Sequence, residues 1–197
     1  MGFSHSWIAV QGLDPAQALA ALGMEVSEIL EPGYFPDGIS FGQMPDGWLV
    51  VLTDRRANAF EGDLVELAKL GPAVACEVNE HVMYSEARGY EAGQEAWRVA
   101  YDCEKGRYAL DVSGNPPPQL DRITREARAE QEAEGGEDAD VDIMIDVPAL
   151  LARSICGFML GEDEPDGFHF SELQPIGGRK APAERPGFLA RLFGRQS

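Results

Sequence analysis

Between residues 74 and 112 the apolar side chains recur at every second position in three separate runs, and that period calls for a sheet. Val74, Cys76 and Val78 alternate with Ala75, Glu77 and Asn79. Trp97, Val99 and Tyr101 alternate with Arg98, Ala100 and Asp102, and Tyr108, Leu110 and Val112 with Ala109, Asp111 and Ser113. Successive side chains on a strand point to opposite faces, so such runs set one face on a core and the other in water. The stretch reads as a four-strand-type antiparallel meander closed by the turn cluster Gly114-Asn115-Pro116-Pro117-Pro118.

The flanking sequence supplies further strands and the helices. Trp7-Ile8-Ala9-Val10 is a short apolar run that reads as a buried strand. Asp14-Pro15 starts a helix that Gly23 stops. Pro45-Asp46-Gly47 turns a hairpin between Ile39–Gln43 and Trp48–Thr53, with Trp48-Leu49-Val50-Val51-Leu52 apolar on both faces and therefore central. Helices are predicted from about Gly62 to Leu70, from Gln119 to Glu132 before an acidic segment into which it frays, and again after Asp146. In the last helix Val147, Leu150, Leu151, Ile155, Phe158 and Met159 form a stripe at helical spacing. Phe168 to Leu173 adds a short edge strand. The fold expected is α+β, a mixed or antiparallel sheet with about four helices packed mainly on one face, over residues 1–175. A strand–helix–strand echo links residues 6–26 to residues 48–78, as a duplication would.

Charge sorts the functional classes. The 197 residues carry a net charge of −18, but residues 175–197 hold five bases against one acid, a net of +4 that leaves −22 on the body. A body so negative repels phosphates, which argues against nucleic acid, and favours fast encounter with a basic protein. Nine acids against Arg128 alone lie between Glu126 and Asp146. Three cysteines at wide spacing suit neither a disulfide framework nor a zinc site, and the N-terminus shows no secretory pattern. No run is long and apolar enough to cross a bilayer. The reading is a cytoplasmic protein.

Motifs for chemistry are few. Cys76 and His81 are close in sequence, but on a continuous strand they would point to opposite faces. Glu80 and His81 remain the only catalytic candidates. Asp138, Asp140 and Asp142 alternate as at the start of a calcium loop, yet Ile143 and Ala149 stand where that loop needs glycine and the bidentate glutamate. No metal or cofactor is expected, and no phosphate loop or hydrolase elbow occurs. Glu137, Asp138, Asp140 and Asp142 are instead candidate contacts for a basic partner. Residues 176–197 read as a flexible basic tail in which Phe188, Leu189, Leu192 and Phe193 share one helical face and Arg191 and Arg195 another, a minimal amphipathic element suited to a partner groove or to weak membrane contact.

Glu80-His81-Val82-Met83, Trp97, the run from Gly135 to Asp142 and Asp146-Val147-Pro148 together resemble a family of small uncharacterised bacterial proteins. The resemblance covers most of the chain up to about Gly161 and implies a bacterial origin and a shared fold, with no assigned activity. The functional expectation is a non-catalytic acidic binding protein, such as an immunity-type or antitoxin-like inhibitor of a basic partner. The alternatives are an enzyme using His81 and nearby carboxylates, and a regulatory module that docks through its tail.

Overall fold

The computed structural model describes residues 4–31, 38–53, 61–160 and 168–178. Its strands are β1 (Ser4–Gln11), β2 (Met24–Ile29), β3 (Ser40–Gln43), β4 (Trp48–Thr53), β5 (Ala73–Asn79), β6 (Tyr84–Glu91), β7 (Gln94–Asp102), β8 (Leu110–Gly114) and β9 (Ser171–Pro175). The helices are α1 (Pro15–Leu22), α2 (Glu61–Ala68), α3 (Gln119–Ala133) and α4 (Val147–Cys156). The strands form one nine-stranded sheet, in the order β2-β9-β3-β4-β1-β5-β6-β7-β8, with every neighbouring pair antiparallel. The expected meander is present as β5 to β8, inside a sheet more than twice that size.

Local chemistry explains the helix ends. Asp14 accepts a hydrogen bond from the Ala16 amide at 2.8 Å, Gln17 reaches back to the Asp14 amide, and Gly23 closes α1 in the left-handed conformation. That reciprocal cap satisfies backbone donors that helix geometry leaves free. Pro148 sits in the first turn of α4, and Gly157 ends it with φ 75°.

Contrary to the one-face expectation, the helices divide between both faces of the sheet. Trp7 and Ala9 of β1 join a core with residues of α3 and α4, whereas Ile8 and Val10 join a second core with Ala18 of α1 and Leu64, Leu67 and Ala68 of α2. Adjacent strand residues point to opposite sides, so two cores require two helical layers. The unbroken apolar runs of β1 and β4 are the sequence correlate of being covered twice. The units β1–α1–β2 and β4–α2–β5, whose sequences echo one another, each lead from a strand through a helix on the same face to a parallel strand.

Two further expectations are corrected. The strand expected at an edge near residues 168–173 is β9, and it lies between β2 and β3. The edges are β2, which carries Glu25, Glu28 and an irregular register between Val26 and Glu28, and β8, which carries Asp111. Charges and bulges at edges discourage pairing with other chains. The acidic segment after α3 does not simply fray: it forms 3-10 turns at Gly136–Asp138 and Met144–Asp146. Among the described residues no helix is long and apolar enough to cross a membrane.

Candidate functional site

The acidic segment is held by two side chains from outside it. Gln131, fully buried near the end of α3, donates to the Gly136 and Val141 carbonyls at 3.0 and 3.1 Å and accepts from the Ile143 amide at 2.8 Å. Arg107 donates to the Ala139 and Val141 carbonyls from the other side. A buried amide with three bonds in place loses them together if the loop moves, so the loop backbone is fixed. From it Glu137, Asp138 and Asp140 project into solvent. Asp142 turns inward and accepts a 2.6 Å hydrogen bond from Tyr101, whose hydroxyl pKa burial and this carboxylate push up. The three alternating aspartates therefore do not converge as calcium ligands would. Among the described residues no group of three or more His, Cys, Asp or Glu is placed to share a metal ion.

Beside this loop, α3 and α4 enclose a groove of about 660 Å³. Ile123 and Ala127 of α3, Leu150 of α4 and Ile143 line it with apolar surface, while Glu126, Glu130 and Asp146 add carboxylates. Arg122 and Arg153 also reach it, and Arg122 is bound to Glu126 at 2.7 Å one helical turn away.

Carboxylates crowd the Asp146 end. Asp146 keeps contact with solvent, yet its pKa is raised to about 6, by burial first and then by the like charges of Glu80, Asp142 and Glu130. Only the protonated form of such a group favours folding, so its contribution is full below the ordinary value of 3.8 and lost as pH rises through about 6. Asp146→Asn is therefore expected to be more stable than the parent at pH 7, with the gap closing below pH 4. Urea unfolding at both pH values checks this, and an unchanged midpoint at pH 7 would refute it.

The catalytic candidates do not form a site with Cys76. Glu80 and His81 are exposed in the turn between β5 and β6, whereas Cys76 is buried in the α3–α4 core, where burial pushes its thiol up. The histidine on which the Glu80 charge acts is His5, whose pKa burial lowers against that charge. Phe188, Leu189, Arg191, Leu192 and Phe193 lie outside the described residues.

Sequence reasoning missed a second polar assembly. On the β5–β7 face beyond α2, a basin of about 550 Å³ is lined by Glu77, Asn79, Tyr84, Glu86, Arg88 and Arg98 among others. Glu86 receives Arg88 Nε on one oxygen, and Arg98 Nε and the Tyr84 hydroxyl on the other. Burial alone would raise the Glu86 pKa, but these donors outweigh it and hold it below the usual range, while Tyr84 is pushed up to about 12. Both guanidiniums bind Glu86 through Nε, and Arg98 also reaches Asp111 of β8 at 3.6 Å, so the network ties β6, β7 and β8 together across this sheet face. Glu-x-Arg at positions 86 and 88, cross-strand from Arg98, is the signal that could have found it.

The chain matches no protein-family model, and no curated protein or solved structure is significantly similar to it. The bacterial-family resemblance therefore brings no activity to these residues.

Proposed function

We propose that the chain is a non-catalytic cytoplasmic binding protein that takes a basic protein partner on the acidic loop 137–142 and the adjoining α3–α4 groove. An inhibitor of the immunity or antitoxin type is the concrete form. The observation that carries this reading is the clamping of the loop by Gln131 and Arg107, which presents Glu137, Asp138 and Asp140 from a fixed backbone. Side chains displayed from an ordered loop bind without the cost of ordering it, and the −18 charge of the chain steers a cationic partner toward them. The enzyme reading has less behind it, because Glu80 and His81 share an exposed turn and line neither the groove nor the basin.

The test is calorimetric titration of an arginine-rich dodecapeptide into two variants of equal net charge. One carries Glu137→Gln, Asp138→Asn and Asp140→Asn. The other carries Glu25→Gln, Glu28→Gln and Glu172→Gln on the β2–β9 ribbon. The loop variant is expected to lose roughly tenfold more affinity than the ribbon variant, about the size of one or two charge-assisted contacts. Equal losses would mean that only total charge matters and that there is no localised site.

A further inference from the structure

We propose that the groove between α3 and α4 is also the seat of the chain's own C-terminal segment, residues 188–195, which a partner must displace. This rests on the reading of that groove as a basic-partner site and adds its regulation. The groove offers an apolar lining, with Ile143 and Leu150 partly exposed over the buried Ile123 and Ala127, bordered by Glu126, Glu130 and Asp146. The segment offers the converse, Phe188, Leu189, Leu192 and Phe193 at helical spacing with Arg191 and Arg195 beside them. Every charge that perturbs Asp146 is another carboxylate, from Glu80, Asp142 or Glu130. Such a crowd is relieved by an arriving cation. Of the two arginines in the groove, Arg122 is engaged by Glu126 on its own helix.

The path is long enough. The described chain ends at Gly178, just past β9, and α4 packs over β5 and β6. Five strand spacings separate β9 from β6 in the sheet order, about 24 Å at the usual interstrand distance. The ten residue steps from Gly178 to Phe188 extend to about 33 Å. Tethering at that length gives an effective concentration on the order of millimolar, so even a weak contact is populated until a tighter basic partner competes.

Spin-label NMR on the full chain tests the proposal. Cys76 and Cys156 are buried, so in a Cys103→Ser background a label added through Gly194→Cys goes to the tail alone. The amides of Ile143, Leu150 and Ser154 are expected to lose at least half their intensity, and to regain it when Leu192→Asp and Phe193→Asp are added. No loss at these amides, or a loss spread over the acidic surface that survives those substitutions, overturns the proposal. A loss seen only when labelled and isotope-enriched chains are mixed assigns the groove to a second copy and overturns docking within one chain. The same tail variants should bind the arginine-rich dodecapeptide roughly tenfold more tightly than the parent. Unchanged affinity that still depends on Glu137, Asp138 and Asp140 defeats the tail's role alone, whereas no binding by either chain defeats the binding function itself.

Discussion

Replacing Glu86 by Gln is expected to cost about 3–5 kcal/mol of folding stability, because it leaves two guanidiniums facing each other without their common anion. Glu86 is 4% exposed, and Arg88 and Arg98 are 13% and 30% exposed. Both arginines direct Nε at this one carboxylate, and Tyr84 adds a hydroxyl. Glutamine keeps the shape but carries an amide nitrogen where one of those donors needs an acceptor, so a hydrogen bond is lost along with the charge. Glu77 stands directly across from Glu86 in the ladder, so the arginines also offset the repulsion between two like charges. The pH dependence has a definite sign. A carboxyl held below its ordinary value of 4.5 contributes stability that is full above that value and lost as pH falls through the lower folded value. The gap between parent and variant should thus be constant from neutral pH down to about pH 5 and shrink in acid. Urea unfolding at pH 7 and pH 3 measures both ends, and a loss under about 1 kcal/mol at pH 7 would show the pair to be too well solvated to matter. Adding Arg98→Met should recover part of the loss, since it removes one of the stranded charges.

Why the sequence disclosed some parts of this architecture and concealed others follows from what each segment buries. Helix α1 and the start of α4 were legible because Asp14, Gly23 and Pro148 are end signals that act within a few residues, whereas Gly157 ends α4 before Phe158 and Met159, which the helical stripe was expected to include. Strands β5 and β7 were legible because their core faces carry apolar side chains in alternation; in β8 Leu110 packs on the core, whereas Val112, expected there too, is 45% exposed at the sheet edge. Strand β6 was not, because its core-facing residues are Ser85, Ala87 and Gly89, and its other face holds Glu86, Arg88 and Tyr90. The small residues are required there: a Cβ on Gly89 would lie 2.0 Å from the Trp97 ring that covers it. The two-sided placement of helices was written in the contiguous apolar runs of β1 and β4, but a run without alternation does not say which side each helix takes. For the acidic site, residue types were legible and geometry was not. Asp138, Asp140 and Asp142 read as equivalent in sequence, and only the distant partners Arg107, Gln131 and Tyr101 separate the two that face solvent from the one that turns in. Contacts of that range leave no local pattern.

Trp7→Ala is the other substitution expected to be severe, at about 3–5 kcal/mol. Trp7 is 1% exposed on β1, the strand at the centre of the sheet, and meets Phe158 edge to face at 5.4 Å. Phe158 in turn packs edge to face on Phe170, and Phe168 and Phe170 meet the same way at 4.9 Å. Aromatic pairs in this geometry add to the area they bury, so truncation removes both the transfer free energy of the indole and one quadrupolar contact. Relaxation cannot refill the space cheaply. Leu52 and Cys76, the ladder partners of Trp7 on either side, are themselves fixed in register within β4 and β5. The loss also reaches the candidate site, because Phe158 follows Gly157, where α4 ends and the groove closes. Guanidinium unfolding followed by circular dichroism should show a lower midpoint with an unchanged slope, the mark of lost packing without a changed unfolded state. Amide exchange should quicken at Ile155 and Cys156 more than at α2, which belongs to the opposite core. A destabilisation under about 1.5 kcal/mol, or equal quickening in both helices, would mean that Trp7 does not organise the larger core.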